Sequence, residues 1–139
     1  GHSAGGHLTA MLLATDWPEF DGLPVDTIKG GLAISGLYDL EAIRLCYLNE
    51  VLGMDAATAA RLSPLDMAPG SGGCIVAVGG GETDEFLRQS SSFAARWRQA
   101  DAKLEELTLP GHNHFTIMNE LADGDGALCV AARRQMDLP

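Results

Sequence analysis

Basic residues are scarce in this chain. Nine lysines and arginines stand against 19 aspartates and glutamates, which gives a formal net charge of −10 over 139 residues. A chain so acidic repels phosphate backbones, and no local cluster of basic residues offsets the repulsion. We therefore expect no nucleic-acid partner.

Long apolar runs and closely spaced cysteines are also missing. No hydrophobic stretch approaches the roughly 18 to 20 residues of a membrane span, so no membrane partner is expected. The three cysteines, Cys46, Cys74 and Cys129, are odd in number and lack metal-ligand spacing. We interpret them as small buried apolar side chains in a reducing compartment, which predicts a cytoplasmic protein. We expect neither a metal nor a cofactor. Whether a targeting peptide precedes Gly1 stays open.

The first seven residues, GHSAGGH, match the pattern G-x-S-x-G. That pattern places a serine on a sharp strand-to-helix turn that exposes its hydroxyl as a nucleophile. Residues 8–14 are rich in helix formers, as the pattern requires after the turn. The strand expected before Ser3 is absent, and the chain does not begin with Met. We therefore expect residues 1–139 to form one incomplete domain, the C-terminal half of a larger one.

The remaining sequence alternates predicted strands and helices. In chain order we predict a loop over 15–27, a strand over 28–34, short helices within 39–53, a helix over 55–62, strands over 74–78 and 103–109 separated by a helix over 84–100, a loop over 110–115, and a helix over 125–136. Such alternation implies parallel strands with right-handed crossover helices. The fold class is therefore α/β, with functional side chains at the carboxyl ends of the strands.

A serine nucleophile requires a base, and four histidines compete for that role. We expect His2 to point away from the hydroxyl on its tight turn and His7 to pack against the start of the first helix. His112 and His114 share the loop after the last predicted strand. We favour His114, since Phe115 beside it can anchor the loop, and keep His112 as the alternative.

A carboxylate must orient the base, and two acidic residues follow the strand over 74–78. Glu82 lies in the loop, where its side chain can reach over the strand ends. Asp84 is the alternative acid, but the first turn of the next helix also accounts for it. Asp39, after an earlier strand, is a more distant candidate that suits a helix cap.

Four segments together resemble the kynurenine formamidase (arylformamidase) branch of the α/β-hydrolase fold and the related small carboxylesterases: GHSAGGHL at 1–8, SGLYDL at 35–40, EF and RQS within 85–90, and HF at 114–115. The family has an acidic residue three positions before Glu-Phe, more often Asp than Glu, and its histidine directly precedes Phe. The resemblance therefore places the acid on Glu82 and the base on His114.

The resemblance implies acyl transfer from a small ester or aryl formamide through a covalent intermediate on Ser3. The Ala4 N–H is the expected oxyanion donor, together with a second donor from a His-Gly-Gly loop that this sequence lacks. Leu37, Tyr38 and Leu48 are candidates for a substrate pocket and equally for core or lid positions. The choice between formamidase and esterase, and between a monomer and a homodimer, stays open.

Two other hypotheses follow from the same residues. The isolated 139 residues could be a piece that does not assemble a working site, because the strand over 28–34 would present an open apolar edge. The chain could also be a module that kept the fold and lost catalysis.

Overall fold

Three parallel strands form the sheet in the computed structural model, which describes residues 1–139. They are β1 (Gly30–Ile34), β2 (Gly73–Gly79) and β3 (Leu104–Leu109), and β2 lies in the middle. Val76 at the centre of β2 stands opposite Ala33 on one side and Glu106 on the other. The predicted parallel α/β arrangement is confirmed, and β3 lies at an edge of the sheet as its alternating pattern indicates.

The helices alternate with these strands. They are α1 (Ala4–Ala14), α2 (Trp17–Asp21), α3 (Glu41–Arg44), α4 (Asn49–Leu52), α5 (Ala56–Arg61), α6 (Asp84–Gln99), α7 (Asn119–Ala122) and α8 (Ala127–Gln135), with 3₁₀ turns at Pro64–Asp66 and Thr116–Met118. None of them combines the length and apolar character that a membrane-crossing helix requires.

Residues 1–3 run along the edge of β1 that does not face β2. His2 forms a parallel bridge with Ile34, the Gly1 carbonyl accepts from Ile34 N at 2.9 Å, and Ser3 N donates to the Ile34 carbonyl at 2.9 Å. The predicted open edge of this strand is therefore partly covered. These bonds also fix Ser3 at the carboxyl end of β1.

The prediction of a loop over 15–27 is wrong for its first part, because α2 lies there. Asp16 caps α2 by accepting a hydrogen bond from Glu19 N at 3.1 Å, Pro18 lies in the first turn, and Gly22 ends the helix at φ 63°. Residues that mark turns also mark the two ends of a short helix. The remaining differences are small: β1 begins at Gly30, and the last helix covers Ala127–Gln135.

Helices cover both faces of the sheet, and each face has its own apolar cluster. The larger cluster packs α1 and α6 on one face and contains Ala10, Leu13, Ala33, Tyr38, Cys74, Val76, Phe93 and Trp97. The smaller cluster, on the opposite face, contains Ile34, Ala77, Ile117 and Leu128. Because neighbouring strand residues point to opposite faces, Val76 enters one cluster and Ala77 the other. The sheet therefore forms the rigid middle layer that holds the loops at its carboxyl end.

Stacked aromatic rings centre the larger cluster. The Tyr38 and Phe93 rings lie 4.0 Å apart and nearly parallel, and the indole of Trp97 donates to the Pro64 carbonyl at 3.0 Å. Burial raises the pKa of the Tyr38 phenol well above its ordinary value. Tyr38 is therefore a core residue rather than part of an open pocket.

The cysteines differ in burial. Cys74 is 2% exposed, and burial raises the pKa of its thiol to about 12. Cys46, between α3 and α4, and Cys129, on α8, are only half-buried, and all three are free thiols. The interpretation as buried apolar side chains is right for Cys74 and wrong for the other two, since Cys46 lies in the connection between two short helices and Cys129 lies on an amphipathic one.

Candidate active site

Ser3 lies on a strained turn between the edge of β1 and the start of α1. Its backbone has φ 56° and ψ −117°, a region that residues with a Cβ rarely adopt. Neighbouring contacts hold this conformation, because Gly6 in α1 packs directly on the strand end. A Cβ on Gly6 would lie 2.8 Å from the Gly36 Cα and 3.0 Å from the Ile34 carbonyl oxygen. The turn thus presents the hydroxyl at the end of the strand, as the sequence pattern predicts.

Glu82 lies in the loop between β2 and α6, and its side chain is fully buried. Its Oε1 accepts hydrogen bonds from Gly79 N at 2.8 Å and from the hydroxyl of Ser35. Its Oε2 faces Nδ1 of His114 at 2.8 Å. A buried carboxylate needs such partners, because an unpaired charge away from water is costly.

His114 lies in the loop after β3 and connects the other two side chains. Its Nδ1 contacts Glu82, and its Nε2 lies 3.1 Å from the Ser3 hydroxyl oxygen. Since a carboxylate only accepts, Nδ1 carries the proton and Nε2 is left to accept from the hydroxyl. The structure brings together the three residues that the sequence analysis selected, from three separate loops at one edge of the sheet.

No protein-family model matches the chain. It is 39% identical over 132 residues to the kynurenine formamidase of Salmo salar and 38% identical over 129 residues to that of Danio rerio. These alignments cover 90% and 88% of the chain but only 44% and 43% of the relatives. The chain spans less than half the length of the curated relatives it matches.

Solved structures agree with these relatives. A Silicibacter sp. TM1040 protein, provisionally named a thioesterase, superposes with a TM-score of 0.76 at 34% identity, over 94% of this chain and 47% of that one. An esterase/lipase from an uncultured bacterium shares the fold at 17% identity, with a TM-score of 0.68 over 99% of this chain and 51% of that one. The chain has an α/β-hydrolase fold. It matches a C-terminal portion of that fold and is homologous to kynurenine formamidases over most of its length.

The other three histidines of this α/β-hydrolase chain have different partners. His112 Nδ1 lies 3.1 Å from the Thr116 carbonyl and its Nε2 lies 2.9 Å from Glu120, so it does not reach Ser3. His7 does not simply pack on the start of α1, because its Nε2 lies 2.8 Å from the Leu62 carbonyl. His2 contacts the His114 loop instead of the hydroxyl. Its Nε2 lies 2.8 Å from the His114 carbonyl, and the two rings are 4.5 Å apart.

The two other acidic candidates lie outside the hydrogen-bonded series. Asp84 is the exposed first residue of α6, where a negative charge suits the helix dipole. Asp39 accepts from Glu41 N at 3.1 Å and pairs with Arg88 at 3.0 Å. Hydrogen bonds to Glu85 and then to Asp39 raise the pKa of the Arg88 guanidinium. Asp39 therefore takes part in fixing the loop after β1 to α6.

Two residues near the site were not selected from the sequence. Ser35 contacts Glu82 as described, and its sequence signals are its place at the end of a predicted strand and in the SGLYDL segment. Asn113 orders the turn around His114, since its Oδ1 accepts from Phe115 N and Thr116 N, both at 3.0 Å. An asparagine two or three residues before such amides is a known turn former, and that pattern could have indicated it.

Space for a ligand adjoins His114. A cavity of about 410 Å³ is lined by Gly81, Glu82, Thr83, Phe86, Asn113, His114 and Phe115. The Phe86 ring lies 4.3 Å from the His114 ring, and Phe115 meets it edge-on at 5.6 Å. Leu37, Tyr38 and Leu48 do not line this cavity. No group of three or more histidine, cysteine or acidic side chains is placed to hold a metal ion.

The Ala4 N–H directly follows the serine, whose own N–H is bonded to the Ile34 carbonyl. As the first residue of α1, Ala4 has no carbonyl one turn earlier to bond, and its N–H has no acceptor in the chain. Such a free donor beside the hydroxyl is available to an incoming oxygen atom.

Proposed function

We propose that this protein is a serine hydrolase that cleaves a small ester or aryl formamide. The observation that carries the proposal is the continuous series of hydrogen bonds from Ser3 Oγ to His114 Nε2, at 3.1 Å, and from His114 Nδ1 to Glu82, at 2.8 Å. An imidazole between a hydroxyl and a buried carboxylate is the arrangement that activates a serine in acyl transfer.

In the first half of the proposed reaction, Ser3 Oγ bonds to the substrate carbonyl carbon while His114 Nε2 takes the hydroxyl proton. The negative charge that develops on the carbonyl oxygen is stabilised by the Ala4 N–H. The tetrahedral intermediate then collapses and expels the alcohol or amine, which receives the proton from His114. The product of this half is an acyl-enzyme, or a formyl-enzyme when the substrate is a formamide.

In the second half, a water molecule gives a proton to His114 as its oxygen attacks the acyl carbon. The second tetrahedral intermediate releases Ser3, which regains its proton from His114, and the carboxylic acid departs. Glu82 keeps its charge throughout. It holds Nδ1 protonated and stabilises the imidazolium that forms twice in each cycle.

An aromatic leaving group suits the surroundings of His114. Phe86 and Phe115 present ring surface beside the base, and Phe115 is 78% exposed. Apolar ring surface of this kind favours an aryl group over a charged one. The kynurenine formamidase relatives support the same class, so we propose a formamide of an aryl amine such as formyl-kynurenine as substrate, with aryl esters as the second candidate.

The test uses the full-length protein, because the matched relatives are more than twice as long as this chain. Turnover of formyl-kynurenine and of a short nitrophenyl ester is measured for the wild type, for Ser3→Ala and for Ser91→Ala. Ser91 is an exposed serine on α6 that bonds only to a carbonyl of its own helix, so it serves as the control.

We expect Ser3→Ala to abolish turnover and labelling of the protein by a fluorophosphonate, while Ser91→Ala behaves as the wild type. Equal turnover by the wild type and Ser3→Ala would contradict the proposal. The ratio of turnover on the two substrates distinguishes a formamidase from an esterase.

A further inference from the structure

Ser35 occupies an unusual position at the end of β1. Its side chain is fully buried, and its backbone has φ 48°, in the left-handed region that non-glycine residues rarely adopt. The conformation is held in place by a hydrogen bond from Ser35 N to the Ala77 carbonyl at 2.7 Å. Strain of this kind persists only where surrounding contacts determine it, and it concentrates at functional sites.

The left-handed turn directs the Ser35 hydroxyl to Glu82. Oγ donates to Oε1, the oxygen that also accepts from Gly79 N at 2.8 Å. The other oxygen, Oε2, is left for Nδ1 of His114 at 2.8 Å. The two oxygens of this carboxylate therefore have different tasks, because one is anchored twice to the sheet and the other faces the imidazole.

The carboxylate needs such an anchor because its own torsion does not fix it. The terminal torsion of a glutamate side chain is broad, so the direction of its oxygens depends on their partners. The Glu82 side chain is fully buried, so solvent has no access to replace a lost donor. Without the Ser35 hydroxyl, Oε1 would keep Gly79 N as its one donor.

We propose that Ser35 is a positioning residue of this site: its hydroxyl fixes the rotation of the Glu82 carboxylate and helps to hold its negative charge, so that Oε2 stays aimed at His114. The inference rests on the proposed hydrolase function. The Ser35 hydroxyl makes its hydrogen bond to Glu82 and none to Ser3 or His114, so it acts through Glu82.

A second buried serine provides a matched control. Ser90 on α6 is also 0% exposed, but its hydroxyl has no hydrogen-bond partner. Ser90→Ala therefore removes a buried hydroxyl without touching the carboxylate. Ser35→Gly provides a second variant of the test position, since glycine adopts positive φ freely and removes the same hydroxyl without backbone strain.

The experiment is a double-mutant cycle in the full-length protein. Fluorophosphonate labelling of Ser3 gives a rate for the wild type, Ser35→Ala, Ser35→Gly, Ser90→Ala, Glu82→Ala and the double variant Ser35→Ala/Glu82→Ala. Steady-state kcat and KM are measured for the variants that keep Glu82. Thermal melting confirms that each variant is folded.

Loss of a hydrogen bond to a charged group predicts that Ser35→Ala and Ser35→Gly lower kcat and the labelling rate by about 10-fold or more, with KM within about 2-fold. Ser90→Ala should be unchanged. In the Glu82→Ala background, adding Ser35→Ala should change the labelling rate by less than about 2-fold.

Two results would overturn the inference: wild-type kcat in both Ser35 variants, or the same fold loss with and without Glu82. Failure of the proposed function would look different. In that case the wild type itself would not be labelled at Ser3, whatever residue stands at position 35.

Discussion

One loop of this protein carries two histidines, and each of them pairs with a glutamate from another element at nearly the same distance. His112 lies 2.9 Å from Glu120, and His114 lies 2.8 Å from Glu82. The exposed fractions of the two histidine side chains are also similar, at 25% and 20%. Neither the distance nor the exposure of the histidine therefore distinguishes a candidate catalytic pair from its neighbour, although the glutamates differ, since Glu82 is fully buried and Glu120 is partly exposed.

The two pairs differ in what the second ring nitrogen faces. The other nitrogen of His112 contacts the Thr116 carbonyl, so both of its partners are acceptors and neither has a proton to give to the ring. The other nitrogen of His114 contacts the Ser3 hydroxyl, which can donate to it. His112 therefore has no hydroxyl beside it to deprotonate, whereas His114 has the hydroxyl of Ser3. The comparison predicts that only the second pair supports base catalysis.

The test with the largest expected effect replaces the two histidines one at a time. We expect His114→Gln to lower kcat on the ester or formamide by about 10⁶, because the nucleophile loses its base. His112→Gln should keep kcat within about 3-fold, since it removes only bonds within the loop and to Glu120. Steady-state kinetics of both variants in the full-length protein provide the measurement. Similar losses of kcat in the two variants would contradict the distinction between His114 and His112.

The two glutamates provide the next test. Glu82→Gln keeps the shape of the side chain but removes the charge that stabilises the imidazolium, so kcat should fall by about 10⁴. Glu120→Gln removes the partner of His112 and should leave kcat unchanged. It should lower the free energy of unfolding by about 1 kcal/mol or less, because the pair is partly exposed to solvent. Urea unfolding, measured together with the steady-state kinetics, separates the loss of stability from the loss of kcat.

Two adjacent glycines, Gly5 and Gly6, test how firmly the turn at Ser3 must be held for the serine hydroxyl to reach His114. A Cβ on Gly6 would clash with the backbone of β1 and Gly36, whereas a Cβ on Gly5 would meet nothing within 4 Å. We expect Gly6→Ala to cost about 1–3 kcal/mol in urea unfolding and to lower kcat with it. Gly5→Ala should be neutral or stabilising by up to about 1 kcal/mol, because alanine favours the helix. Equal stability of the two variants would show that the close approach is not required.

The smallest expected effect concerns the rings around His114, which have no counterpart at His112. Phe86 is half-buried with its ring 4.3 Å from His114, whereas Phe115 is 78% exposed. Phe86→Leu keeps an apolar side chain but loses the ring face, and kcat should fall by about 3- to 10-fold. Phe115→Leu should leave kcat unchanged and raise KM for the aryl substrate. A change in KM alone for both variants would assign both rings to substrate binding.

Much of this arrangement follows from local sequence signals. The pattern around Ser3 places a helix directly after it, and alternating elements predict the parallel strands that bring three loops to one edge. The choice of Glu82 over Asp84 rests on their places in a loop and in a helix, and the structure puts both residues where those signals indicate. Local rules suffice here because each loop directly follows its strand.

Features that depend on approach between distant segments were not predictable. Ser35 meets Glu82 across 47 positions of sequence, and no local pattern indicates that contact. The difference between Gly5 and Gly6 likewise depends on how closely α1 approaches the end of β1. The short helix α2 was missed for another reason, since Asp16, Pro18 and Gly22 are as typical of turns as of helix ends.

Because residues 1–3 pair with β1, the proposed hydrolysis depends closely on the register of that pairing. A slip of one residue along that edge would displace the nucleophile by about 3.3 Å and turn its side chain to the opposite face. Bulk spectroscopic signals of helix and strand content would hardly register such a shift, yet turnover would stop. Enzymatic assay of stressed or refolded samples should therefore detect misaligned molecules that pass every test of secondary structure.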